Sequence, residues 1–127
     1  MKFPEHGYIE DDGEICSYWK CSTLWKLAES MPVEDVPLDS FDWTNDNFTV
    51  PIPKDRPLLW RDVGDHTKRI LNTNLKYPII ISAEGHIMDG MHRVLKCYIF
   101  GVPSVKAVRF TVTPPPDMLI PLDEIDD

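Results

Sequence analysis

The chain has 127 residues, which is enough for one compact domain and too few for two. Its composition, 43% hydrophobic and 27% charged, is that of an ordinary globular protein, and no stretch approaches the ~20 apolar residues of a membrane-spanning helix. The net charge of −8 argues against duplex DNA as a partner, because affinity for the DNA backbone comes mostly from lysine and arginine. Three cysteines without CxxC spacing and no signal-peptide pattern predict a reduced, cytoplasmic protein.

The charge is unevenly distributed along the chain. Residues 1–14 carry five acids and one base, and residues 117–127 carry five acids and no base. Residues 54–109, by contrast, carry ten bases and five acids. We therefore predict an acidic N-terminal arm over 1–14, a domain over 15–116 and an acidic C-terminal tail over 117–127.

The first half of the predicted domain contains one helix, one strand and a loop. Apolar residues at imperfect helical spacing predict a helix over about 17–30, which Pro32 would end. A short strand is predicted over 33–38. Turn-forming residues and prolines predict a long ordered loop over 40–61.

The second half is more regular. Periodic apolar residues predict helices over 62–72 and 91–100, the second ending at Gly101, a residue suited to a left-handed C-terminus. Strands are predicted over 78–81, 87–88 and 105–112. The order α-β-α-β-β-α-β predicts a single α+β (mixed α/β) domain, with a small sheet and flanking helices.

The segment Asp89-Gly90-Met91-His92-Arg93 joins a predicted strand to a predicted helix through a glycine. Such a junction directs backbone N–H groups and the positive end of a helix dipole toward one point, which suits an anion. Arginine and lysine side chains near the first turn would add charge. The predicted phosphate or nucleotide site consists of Gly90, Met91, His92, Arg93 and Lys96.

Each side chain of this site also has a purely structural interpretation. Asp89 could cap the helix, His92 could be a hydrogen-bonded structural histidine, and Lys96 could be a solvated surface charge. The functional interpretation makes Asp89 and His92 catalytic, with Asp89 also binding Mg²⁺. The four histidines have no close ligand spacing, so we expect no structural metal and only Mg²⁺ arriving with a nucleotide.

Two further residues could face the same pocket. His66 and Arg69 lie off the apolar face of the helix predicted over 62–72. The alternative is a solvated face in which Asp65 and Arg69 form an i, i+4 ion pair.

The segment resembles the ParB/sulfiredoxin superfamily, whose core has a strand, a glycine turn, a strand, Asp-Gly-x-His-Arg, a helix, a glycine and a strand. The resemblance covers about residues 33–112 and is close to a set of short bacterial ParB-like proteins. Further parts of their pattern are matched at Trp25-Lys26-Leu27-Ala28, 36–38, 65–70 and 77–80.

The resemblance limits the expected chemistry. Sulfiredoxins have a catalytic cysteine directly before the His-Arg pair, where this chain has Met91, so we expect no sulfiredoxin activity. ParB proteins have Gly-Glu-Arg-Arg at this turn, where this chain has Met91 and His92 in place of Glu and Arg, which argues against CTP hydrolysis of the ParB type. ParB-like serine kinases match the turn best. Their acidic general base would lie elsewhere, and Asp39 and Asp42 are the candidates.

Three classes of function follow. The first is an enzyme that transfers a phosphoryl group from a nucleotide, or hydrolyses the nucleotide, with Mg²⁺. The second is a non-catalytic module that senses a nucleotide and contacts a protein partner, which the sequence leaves unknown. The third is a ParB-like nuclease or DNA-binding protein. The net charge and the absence of room for a helix-turn-helix domain argue against the third class.

Overall fold

A computed structural model describes residues 3–41 and 55–125 of the chain. The described residues form three α-helices, seven β-strands and two short 3₁₀ turns, so the predicted mixed α+β class is confirmed. In chain order, the elements are β1 (Gly7–Asp11), β2 (Ile15–Lys20), α1 (Cys21–Ala28), β3 (Glu34–Pro37), a 3₁₀ turn (Leu38–Ser40), α2 (Trp60–Asn72), β4 (Ile79–Ile81), β5 (Ile87–Asp89), α3 (Met91–Phe100), β6 (Ser104–Arg109), β7 (Met118–Pro121) and a second 3₁₀ turn (Leu122–Glu124).

A four-stranded sheet in the order β3-β6-β4-β5 lies at the centre of the fold. Strands β4 and β6 are parallel, and the other neighbours are antiparallel. Ile80 packs in one core cluster with Leu24 of α1, whereas Ile79 and Ile81 pack in another with Val94 of α3. Helices therefore cover both faces of the sheet, which explains why β4 is an uninterrupted isoleucine run rather than an alternating one.

A second sheet has the strand order β1-β2-β7. Its central strand, β2, includes residues 17–20, where a helix was predicted. That prediction is wrong for 17–20, because Cys16 and Tyr18 are buried while Ser17 between them is less so, which is the period of a strand. The helix begins at Cys21 and ends before Pro32. Trp19, counted in the helical stripe, belongs to the strand instead.

The predicted acidic arm and tail both contribute strands to this sheet. Strand β1 pairs with β2 from Gly7 opposite Lys20 to Asp11 opposite Cys16. Strand β7 pairs with the other edge of β2, and its Ile120, opposite Cys16, is buried. The boundaries predicted at residues 15 and 116 therefore do not separate the ends from the folded part. The boundaries were predicted from charge alone, which did not take into account the apolar side chains among the acidic ones in these two segments.

The remaining elements lie close to their predicted positions. Helix α3 ends at Gly101, which has φ 70° and donates its N–H to the carbonyls of Cys97 and Tyr98. Most of the loop predicted over 40–61 falls outside the described residues. None of the helices in the described stretches has the length and apolar character needed to cross a membrane.

The packing of β7 can be tested with two neighbouring residues. Ile120 is 3% exposed and Leu119 is 66% exposed. Ile120→Ala should lower the free energy of unfolding by about 2–5 kcal/mol, the usual cost of deleting a buried isoleucine side chain, whereas Leu119→Ala should change it by less than about 0.5 kcal/mol. Urea denaturation measures both. Equal, small losses of stability in the two variants would show that β7 is not part of the folded structure.

Candidate functional site

The turn at Gly90 connects β5 to α3 in a conformation that requires glycine. Gly90 has φ 102°, in the left-handed region, and a Cβ at this position would lie 2.6 Å from the Cγ2 of Ile79. Gly90 has no side chain that could cap α3, and its carbonyl accepts the N–H groups of Arg93 and Val94. The N–H of Arg93 is used in this way, whereas the N–H groups of Met91 and His92 have no acceptor within a helix, so this end of α3 suits an anion.

The carboxylate of Asp89 is directed to α1 rather than to α3. Its Oδ2 accepts a hydrogen bond of 2.6 Å from Nε1 of Trp25, and its Oδ1 lies 3.7 Å from Sγ of Cys21. Cys21 and Trp25 are four residues apart and share one face of the helix. The contacts of Asp89 therefore fix α1 against the end of β5, and the predicted cap on α3 is not formed.

His6 completes a group of three potential ligands around this carboxylate. The backbone N–H of Cys21 donates to the carbonyl of His6 at 3.1 Å, which holds the two residues together. One ligand atom each from His6, Cys21 and Asp89 lie within 4.8 Å of one another. The group offers a single carboxylate, so it does not match the all-oxygen ligands that Mg²⁺ prefers, and it gives no support to Mg²⁺ at Asp89.

The thiol of Cys21 is not activated for nucleophilic chemistry. Burial, and next the negative charge of Asp89, raise the pKa of Cys21 to about 12. The group is therefore protonated at neutral pH unless a cation replaces its proton. Sequence reasoning missed Cys21 and His6, although the i, i+4 spacing of Cys21 and Trp25 was a visible signal.

Basic side chains converge on His92, the second residue of α3. Its ring lies 4.8 Å from that of His66, edge to face at 75°. The pKa of His92 is lowered by burial and then by the charges of His66, Arg69, Arg93 and His6. The pKa of His66 is lowered by burial and by Arg69. The structure thus brings His66 to the predicted turn, with Arg69 near enough for its charge to lower the pKa of both histidines.

The two other predicted cations also contact the end of α2. Nε of Arg93 donates to the carbonyl of Asn74 at 3.2 Å, and its guanidinium carbon lies about 6 Å from the ring centroids of Trp25 and Tyr77. Nζ of Lys96 donates to the carbonyl of Thr73 at 2.8 Å. Cations are favoured at a helix C-terminus, so Lys96 has a structural role here, and its role in phosphate binding stays a prediction.

Of the two acidic candidates for the general base, Asp39 is among the described residues, and it is not placed at the turn. Asp39 lies in the 3₁₀ turn after β3, at the edge of the central sheet opposite to β5. Three strand spacings, roughly 14 Å, separate these two edges, so Asp39 follows a strand that is remote from β5. Asp42 lies outside the described residues. Within the described residues, Asp65 and Arg69 do not form the ion pair that was considered as an alternative.

Comparison with known proteins finds no relative of this chain. No protein-family model, no curated protein and no solved structure matches the chain. The resemblance to the ParB/sulfiredoxin superfamily therefore stays a prediction, supported by the sequence motif alone. Functional conclusions must come from the residues around Gly90.

The close contact between Gly90 and Ile79 makes a prediction with a matched control. Gly90→Ala should lower the free energy of unfolding by about 2–5 kcal/mol, because a left-handed alanine is strained and its Cβ would overlap Ile79. Gly101→Ala is also left-handed but has open space around it, so it should cost only about 1–2 kcal/mol. Denaturant unfolding compares the two variants. Equal losses would mean that the Ile79 contact does not constrain the turn.

The histidine pair predicts a dependence of stability on pH. The pKa values of His66 and His92 are lower in the folded chain than the usual 6.5, so the unfolded chain binds protons more readily in this range. The free energy of unfolding should therefore fall as the pH decreases through about 6.5 and below. His92→Gln should make this fall smaller, because it removes one of the two histidines whose pKa is lowered. An unchanged pH slope in His92→Gln would contradict the placement of this side chain.

Proposed function

We propose that the protein binds a phosphate-bearing small molecule, such as a nucleotide, at the N-terminus of α3. The observation that carries this proposal is the ring contact of His66 with His92 beside the uncapped Gly90 turn, where the charges of Arg69 and Arg93 are near enough to lower the pKa of His92. Like charges held close together repel one another, and a bound anion would compensate that repulsion. In the two described stretches of chain, no carboxylate lies within ion-pair distance of Arg69 or Arg93.

The chemistry of these donors favours phosphate over other anions. Backbone N–H groups at a helix start and a guanidinium together supply several directed hydrogen bonds, which match the oxygens of a phosphoryl group. Arg93 uses its Nε for Asn74, and its guanidinium has further N–H groups. The overall charge of −8 disfavours a large polyanion, so the proposed ligand is a small molecule rather than duplex DNA.

Phosphoryl transfer or nucleotide hydrolysis is the second candidate function. One observation favours it: the pKa of His92 is lowered, which supports a neutral imidazole that can accept a proton from a substrate near pH 7. Asp89, the other residue predicted to be catalytic, has its carboxylate engaged by Trp25 and Cys21. These contacts support a positioning role for Asp89, so binding alone is the better-supported function.

We propose a ParB/sulfiredoxin-like origin, on the strength of the Asp89-Gly90-x-His92-Arg93 motif. We also propose a cytoplasmic location, because all three cysteines are free thiols, as expected in a reducing compartment.

The anion site is tested by titrating the full chain with sulfate, and then with nucleotides, in the presence of EDTA. Binding should raise the unfolding temperature, since a ligand at 100 times its dissociation constant adds ~2.7 kcal/mol of stability. Arg69→Gln should weaken binding by about tenfold or more, because it removes one charged donor. Lys68→Gln makes the same change of charge on the preceding, exposed residue and should have little effect.

Arg93→Gln should weaken binding by at least as much as Arg69→Gln. Since Arg93 also contacts Trp25 and Asn74, its unliganded stability must be measured beside the titration. If Lys68→Gln and Arg69→Gln weaken anion binding equally, binding depends only on the total charge of the protein, and the proposed site would be abandoned. The second candidate function requires nucleotide turnover that His92→Gln abolishes, with binding retained.

A further inference from the structure

The group His6, Cys21 and Asp89 remains outside the anion site just described. Its residues come from the segment before β1, the first turn of α1 and the last position of β5. The three ligand atoms lie within 4.8 Å of one another, although the residues are far apart in sequence. A nitrogen, a sulfur and an oxygen are thus brought together by the pairing of β1 with β2 and by the packing of α1 on the central sheet.

The spacing of these atoms is close to that of metal ligands. Tetrahedral zinc has Zn–S and Zn–O bonds of about 2.3 and 2.0 Å, which place the two ligand atoms roughly 3.5 Å apart. Sγ of Cys21 and Oδ1 of Asp89 are 3.7 Å apart. The imidazole of His6 supplies the third ligand atom, within 4.8 Å of the other two, on an exposed side chain.

We propose that His6, Cys21 and Asp89 bind a divalent transition metal of the zinc class and leave its fourth position open. A thiolate and an imidazole favour zinc or cobalt over Mg²⁺ and Ca²⁺, whose ligands are oxygens. Three protein ligands with one open position are the arrangement of zinc sites that also bind water or substrate. On binding, the S–H bond of Cys21 breaks, a sulfur–metal bond forms, and the proton passes to solvent.

Contacts around the three residues support this assignment. Nε1 of Trp25 donates to Oδ2 of Asp89, as groups that orient a metal-binding carboxylate commonly do. The carbonyl of His6 accepts the N–H of Cys21, which fixes the backbone positions of two ligands. Glu5 adds a negative charge that acts on the Cys21 thiol and favours a bound cation.

The site is tested by adding Co²⁺ to the full chain after EDTA treatment and dialysis, in a buffer without phosphate or sulfate. Bound cobalt should give a thiolate-to-metal charge-transfer band in the near ultraviolet, and Zn²⁺ should remove that band by competition. Cys21→Ser should abolish the band. His6→Gln and Asp89→Asn should weaken cobalt binding at least tenfold, and Asp89→Asn keeps an oxygen that can accept the Trp25 hydrogen bond.

Two control variants separate this site from other histidines and thiols. Cys97→Ala removes a buried thiol of α3, and His86→Gln removes an exposed histidine; both should retain the band, and circular dichroism checks the fold of each. Absence of the band in the wild-type chain, or its persistence in Cys21→Ser, would overturn the proposal. The sulfate titration in EDTA contains no metal, so failure of the metal site and failure of the anion site are separate outcomes.

Discussion

The fold and the candidate site both depend on the carboxylate of Asp89. Its backbone pairs with Ile80 inside the central sheet, while its side chain accepts Nε1 of Trp25 and contacts the thiol of Cys21. A partly buried carboxylate needs such donors, because an unpaired buried charge is costly. One residue thus fixes the end of β5 against α1, and its neighbour Gly90 begins the turn into α3. The two proposed ligand sites lie side by side because both are built on this junction.

The second half of the fold could be predicted from the sequence because its signals are local. The isoleucine run of β4, the apolar periodicity of α2 and the glycine after α3 each specify one element without reference to distant residues. The first half could not. Trp19 fits an apolar helical stripe and a strand equally well. Only the pairing of β2 with β1 and β7 determines that this segment is a strand. The acidic residues of both ends concealed the strands among them.

The candidate site shows the same division. The turn at Gly90 and its neighbour Arg93 could be predicted, since adjacent residues define a strand-to-helix junction. The approach of His6 and Cys21 to Asp89 could not, because it requires a sheet that the sequence pattern did not reveal. Nor does a lysine in a sequence indicate its acceptor: the bond from Lys96 to the carbonyl of Thr73 follows from how α3 packs on the end of α2.

The position of β7 has a consequence for how the protein forms during its synthesis. Strand β2 lies between β1, its immediate neighbour in sequence, and β7, about a hundred residues later. The hairpin of β1 and β2 can close as soon as it leaves the ribosome, but one edge of β2 then stays unpaired until nearly all of the described chain has been translated. An open strand edge of this kind invites pairing with other chains. The nascent protein is therefore vulnerable to aggregation until β7 emerges, and slow translation of the segment that contains β7 would prolong that interval.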